Sequence, residues 1–349
     1  MKKSTSYKSK TFRRKLLALA VASSFATELA QANPIGPTVV NGQVSFNANG
    51  NLLSITNSPG AIINWRGFSI GASEITRFVQ QSASSSVLNR VTGANPSVIL
   101  GTLASNGRVF LINPNGITFG AGSQVNTAGL VASTLGLSDA DFLAGRYRFT
   151  EVPGAGGVVN QGVITTPSGG SIYLVAPSVT NSGVIRSDNG EIVLAAGNSV
   201  ELVNPQTPDL RVLIIAPDNQ AVNVGQIIAQ SGSIGIYGGL VRQGGTVSAN
   251  SAVMGPNGKI VFKATRDVTL EAGSTTSANG PQGGAISIQA DAGRAVVAGA
   301  VEANGAQGQG GVVAIAGRQE VNVASTARIT ANGNSGGRVT LDSPAGSVR

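Results

Sequence analysis

Over the carboxy-terminal third of the chain, apolar residues recur two apart in short bursts, not in helical stripes. Ile234 and Ile236, Ile260 and Phe262, and Ile286 and Ile288 are such pairs, and each burst follows a glycine. Those glycines, Gly232, Gly258, Gly284, Gly311 and Gly337, lie 26, 26, 27 and 26 residues apart. A second marker keeps pace with them: Val247-Ser-Ala-Asn250, Thr276-Ser-Ala-Asn279, Val301-Glu-Ala-Asn304 and Ile329-Thr-Ala-Asn332. A period of two predicts β-strands with alternate side chains on opposite faces. Recurrence near 26 residues predicts one coil of a solenoid per repeat, each strand pairing with its own copy about 4.8 Å away. On this register Ile260, Ile286 and Ile315 face the core, and Lys259 and Ser287 have the opposite parity. The equivalent asparagines are placed to stack as a ladder at one corner, as identical amides do in cross-β stacks. Gly170-Ser-Ile-Tyr-Leu and Gly190-Glu-Ile-Val-Leu form a shorter, 20-residue echo, and the mature chain has room for roughly 12–14 coils.

The first half is built of short β-type runs between turns. Gln43-Val44-Ser45-Phe46 and Leu52-Leu53-Ser54-Ile55 alternate, separated by Asn41-Gly42, Asn49-Gly50 and Pro59-Gly60. Further on come Val98-Ile99-Leu100, Val109-Phe110-Leu111-Ile112 and Ile117-Thr118-Phe119. Asn95-Pro96-Ser97, Ser105-Asn106-Gly107 and Asn113-Pro114-Asn115-Gly116 punctuate them. In the last turn Pro114 pre-sets φ, and Asn115-Gly116 tolerates the positive φ needed to leave it. On these grounds Pro114, Asn115 and Gly116 suffice for the turn, so Asn113→Ala is expected to leave the fold intact. Ser138-Asp139-Ala140-Asp141 ahead of Phe142-Leu143 is a capping-box-like start for one short helix, which Gly145 limits. Asp139 and Asp141 are read there as complements of the helix dipole, not as a metal site.

The boxes LNRVTG (Leu88–Gly93), NPSVILG (Asn95–Gly101), NGRVFLINPNGITFG (Asn106–Gly120) and GLVAST (Gly129–Thr134), with Trp65, Phe68 and Phe78-Val79-Gln80, resemble the amino-terminal secretion domain of the filamentous-haemagglutinin family. These are the exported partners of bacterial two-partner secretion systems. The resemblance covers about Pro34 to Ser138, with a weaker echo beyond. It implies an all-β fold, a right-handed parallel β-helix closed by an amino-terminal β cap. In that cap Trp65, the only tryptophan, is expected to plug the end of the solenoid. The resemblance also implies recognition by an outer-membrane barrel transporter with periplasmic domains. Asn113, Pro114, Asn115, Gly116 and Ile117 match the family's secretion box and take its role by resemblance. The family's second box, Asn-Pro-Asn-Leu, is missing, and Asn95-Pro96-Ser97 is the nearest segment.

Seven Lys or Arg and one Glu fall in residues 1–32, which leaves 17 basic against 15 acidic residues of the net +8 chain. So near-neutral a remainder is a poor match for nucleic acid. The basic start precedes an 11-residue apolar run, Leu16–Ala26, and Ala30-Gln31-Ala32, the small-x-small pattern of signal cleavage before Asn33. That run falls short of the ~20 apolar residues a transmembrane helix needs, and no later segment reaches it. We therefore divide the chain into a signal peptide (1–32), a secretion domain with its cap (33–150) and a β-helical continuation (151–349) of about 20–27 residues per coil.

Histidine and cysteine are both absent, which removes histidine-based triads, cysteine nucleophiles and the usual zinc sites. Gly255-Pro-Asn-Gly-Lys259 has the wrong spacing for a phosphate loop and continues into Ile260, not Ser or Thr. No catalytic, cofactor or metal-binding residues are assigned. The expected function is that of a secreted exoprotein or adhesin without enzymatic activity, at the surface of a Gram-negative bacterium or outside it. A host-cell or bacterial-surface glycan or protein would be its receptor. The rivals are a secreted β-helical polysaccharide-degrading enzyme and a contact toxin or cytolysin carrier truncated before its effector end.

Overall fold

The computed structural model describes residues 33–203, 211–215, 218–255 and 257–349. Three short strands per turn, in a fixed cyclic order, build a parallel β-helix with three faces. The first face stacks eleven strand layers from Ala61–Gly67 to Arg338–Asp342, every neighbouring pair parallel. The second face runs from Ser97–Ile99 through Val158–Asn160 and Ser178–Asn181 to Ser347–Val348. The third runs from Leu52–Asn57 through Val163–Thr165 and Val184–Arg186 to Arg328–Thr330. Some strands are long because they bend round a corner. Ser233–Gln243 passes from the first face to the second, with its pairing register shifting between Gly238 and Leu240. Eleven layers fall short of the expected 12–14 because the cap and two excursions from the coil consume chain.

The repeat register is as the glycines and alternating apolar pairs dictate. Ser233, Lys259, Ala285, Val312 and Arg338 lie one above another, as do Val247, Thr276, Val301 and Ile329. Ile260, Ile286 and Ile315 are at most 1% exposed, whereas Lys259 and Ser287 point outward and are half-buried. The repeating glycine is demanded by space between coils. A Cβ on Gly284 would sit 2.2 Å from the Gly258 carbonyl oxygen, and one on Gly311 2.1 Å from that of Gly284. The corner ladder forms with a different donor from the one expected. The backbone N–H of Asn279, Asn304 and Asn332 each donates to the Oδ1 of the preceding rung's asparagine, at 2.7, 2.7 and 2.8 Å.

At the amino-terminal end the polarity changes. Ile35–Asn41 pairs antiparallel with Ala61–Gly67, and Val44–Asn49 with Leu52–Asn57. Trp65 is 1% exposed, edge-on to Phe46 and Phe68, and its Nε1 donates to Asn89 Oδ1 at 2.9 Å. It closes the core as expected.

The outside of the first face carries a second apolar layer. Leu88, Phe110, Val131 and Tyr173 point outward there, beneath Phe142 of the helix Asp139–Leu143. Phe149, Val200 and Leu202 of a separate antiparallel sheet share that layer. This sheet comprises Tyr147–Phe149, Ser199–Val203 and Arg211–Ile215. Ser138 caps the helix, its Oγ accepting from the Asp141 N–H at 3.1 Å. Asp139 pairs with Arg90 and Asp141 with Arg146, each at 2.7 Å, and the Arg146 and Ser138 hydrogen bonds hold the Asp141 carboxyl below the usual range.

A stacked corner of turns as the candidate secretion signal

The Asn113–Gly116 turn joins the first face to the second. It closes with the Gly116 N–H donating to the Asn113 carbonyl at 3.1 Å. Only Gly116 has a positive φ, +121°; Asn115 stays in the ordinary region. Asn113 is fully buried and serves as an organising centre. Its Oδ1 accepts from the Asn115 N–H and from Asn115 Nδ2, both at 3.0 Å. Its Nδ2 donates to the Asn95 carbonyl and to Ser97 Oγ, also at 3.0 Å. Asn115 reaches back in turn, Nδ2 to the Gly93 carbonyl at 2.8 Å.

Asn113 therefore does not behave as the local sequence suggests. It ties its own turn to the turn one coil below, and Ser97, its partner, is itself fully buried. Asn113→Ala leaves that hydroxyl and the Asn95 carbonyl without their partner, so we expect a loss of about 2–3 kcal/mol, read as a lower urea midpoint. A midpoint equal to wild type would show that the side chain is dispensable to the fold.

A third turn completes the stack on the other side. The Gly156 N–H donates to the Pro114 carbonyl at 2.8 Å and the Ile117 N–H to the Gly157 carbonyl at 3.1 Å. A Cβ on Gly156 would lie 2.9 Å from the Asn115 carbonyl oxygen, and one on Gly93 2.0 Å from that of Arg66. Gly156 thus lets the third turn close on the box, and Gly93 lets the turn on the other side close on the end of strand Ala61–Gly67. Of the five box residues, Asn113, Gly116 and Ile117 are buried, Pro114 is half-buried and Asn115 is exposed. Neither the link to Gly93, Asn95 and Ser97 nor the seat on Gly156-Gly157 was assigned from sequence. The Asn-Pro start shared by the two turns was the available signal. Of the cleavage residues, Ala30 and Ala32 lie outside the described residues, and Asn33 accepts from Thr76 Oγ1 at 3.3 Å.

Other chemistry is sparse among the described residues, which hold no group of three metal-ligating side chains. Tyr173 Oη donates to Glu191 Oε2 at 2.5 Å under the outer layer. Burial raises the Glu191 carboxyl, partly offset by that bond, and burial next to Glu191 raises the Tyr173 phenol. The adjoining cavity, of about 30 Å³, has room for a water and not for a substrate. No helix among the described residues is long and apolar enough to cross a membrane.

This three-faced stack has known counterparts. The family model for the TPS secretion domain matches residues 30–265. The chain belongs to the TPS secretion domain family. It is thus the secretion domain of a two-partner exoprotein, as its boxes imply. The solved HMW1 secretion domain from Haemophilus influenzae is similar over 91% of this chain and 100% of that one, with a TM-score of 0.79 and 29% identity. Two proteins from the same organism, each named heme/hemopexin-binding protein, are 34% identical over 172 residues and 40% identical over 90. Those stretches cover 47% and 26% of this chain but 19% and 10% of the relatives, so the TPS chain spans about a fifth or less of their lengths. None of these counterparts is described as an enzyme.

Proposed function

We propose that this chain is the export-directing domain of a non-enzymatic exoprotein, and that its outer-membrane partner reads Asn113–Ile117 before the coil around them closes. One observation carries this. Of the box, the folded corner leaves only Asn115 exposed and Pro114 half-buried, while Asn113, Gly116 and Ile117 are spent inside the stack. A partner that reads those side chains must meet them in the unfolded chain. The course that follows has three steps. The signal over residues 1–32 leads the chain into the periplasm. The periplasmic domains of a barrel transporter hold the open segment, and strand addition to one of their sheet edges suits such a β-rich chain. Coils then form outside the cell, each on the one before it, because each contacts only its neighbours. The product lies at the surface or beyond it, where the rest of the exoprotein meets a glycan or protein receptor.

The test keeps stability out of the comparison. Leu130 is fully buried, so Leu130→Asp opens the stack without touching the box. The Leu130→Asp chain should bind the transporter's isolated periplasmic domains at least as tightly as the folded chain does. Adding Asn113→Ala to it should weaken binding tenfold or more. Tighter binding by the folded chain, or no effect of Asn113→Ala in the open one, removes the box from recognition.

A further inference from the structure

On the inner side of the second face one stacked position reads Ile99, Phe119, Asn160, Asn181, Asn223, Gln243, Leu270, Val297 and Val323 from coil to coil. Four consecutive rungs of an otherwise apolar column are amides, and all four are fully buried. Their bonds run in one direction. Asn160 Nδ2 donates to Asn181 Oδ1 at 2.8 Å, Asn181 Nδ2 to Asn223 Oδ1 at 2.7 Å, and Asn223 Nδ2 to Gln243 Oε1 at 2.7 Å. Gln243 Nε2 ends the run on the Gly245 carbonyl at 2.9 Å.

The amides occupy a particular stretch. From Phe119 to Asn160 the chain advances 41 residues, then 21, 42 and 20 to Gln243, and thereafter 27, 27 and 26 to Val323. The long steps contain the helix with Tyr147–Phe149, and the Ser199–Val203 and Arg211–Ile215 strands. Where coil length is regular, the length itself sets which residue meets which. Where it doubles and halves it cannot. Alternation does not help there either, because a slip of two residues keeps every apolar side chain pointing inward. Such a slip sets Asn181 against Ala221 instead of Asn223 and breaks the buried amide-to-amide bond between them.

We propose that the Asn160–Asn181–Asn223–Gln243 column is a register key, which selects one stacking of the coils on either side of the two excursions. Its contribution is uniqueness of the stack, as a single buried polar residue fixes the register of a coiled coil. Leucine, which this column itself uses at residue 270, should therefore replace all four amides together without loss of folding.

Because the chain has no cysteine, two engineered pairs report the register directly. Thr180→Cys with Val222→Cys places thiols on residues directly opposite in the native stack. Thr180→Cys with Gln220→Cys faces only after a two-residue slip. In the native background, oxidation after refolding should link the first pair almost completely and leave the second at background. With all four rungs changed to Leu, the second pair should rise at least fivefold and the first fall accordingly, in a chain that still melts cooperatively. The double variant Asn181→Leu with Asn223→Leu, which takes the amide partner from Asn160 Nδ2 and from Gln243 Oε1, should show the same redistribution with a lowered midpoint. A four-leucine chain linking only through the native pair would overturn the key. So would one that no longer folds, since the column would then be supplying stability and not selection.

Discussion

Ile286→Asp is expected to strip the carboxy-terminal coils from the solenoid. Ile286 is 1% exposed and lies in a column between Ile260 and Val313. An aspartate there would carry a charge, or a neutralised carboxyl, into a site lined by aliphatic side chains with no partner within the stack. Such burial costs several kcal/mol, on the order of 4. Ser287 is the control, one residue along with its side chain outward, and Ser287→Asp should cost less than about 1 kcal/mol. Each coil touches only its neighbours, so the damage should be confined to coils near and after residue 286. Limited proteolysis should then leave a resistant amino-terminal fragment, with a two-step urea transition in place of one. Equal midpoints for the two variants would mean the 26-residue register is wrong.

Gly284→Ala should do comparable harm with a single methyl group. Gly284 is not in the left-handed region, so its backbone tolerates alanine; the obstacle is the coil below. The added carbon would sit 2.2 Å from the Gly258 carbonyl oxygen and 3.0 Å from the Ala278 side chain. Relief requires two backbones to part at a point where parallel pairing holds them, and we expect a loss of about 3 kcal/mol or more. Gly273 makes the comparison informative. It has φ +81° and open space around it, so Gly273→Ala should cost only the left-handed penalty of about 1–2 kcal/mol. If the two melt alike, contact between coils is not what selects glycine at 284.

Both expectations rest on features legible in the sequence, because regular repetition lets one coil announce the next. Gly232 to Gly337 and the paired isoleucines carry period and parity together, and the stack obeys both. Residues 134–219 were harder to read. Tyr147–Phe149 and Ser199–Val203 alternate much as coil strands do and Arg211–Ile215 is a short apolar run like theirs, yet all three pair antiparallel and lie outside the β-helix. Nothing local distinguishes a strand that joins the coil from one that leaves it. The outer apolar layer was hidden for the same reason, since Phe110, Val131 and Tyr173 sit within runs apolar on both parities, which suit a strand covered on both faces. The amide column has no local sequence signature, because 21, 42 and 20 residues separate its members. At the box, the local sequence presents Asn113 as the first residue of a β-turn, and the family resemblance as part of the secretion box. Its structural role comes from Asn95 and Ser97, which only the stacking of coils brings near.

The three-faced stack also has a mechanical consequence. Its interstrand hydrogen bonds run roughly along the solenoid axis, and each coil is held to the body by its three short strands. Tension that pulls one coil away from the stack therefore loads that coil first, and loads it by peeling. The chain should lengthen in small successive yields of about one coil each, where a globular domain breaks in a single rupture. Released early, it should rewind on the coils that remain, which still present their open strand edges as a template. A stack of this kind would yield by paying out length, while the capped end about Trp65 stays shut.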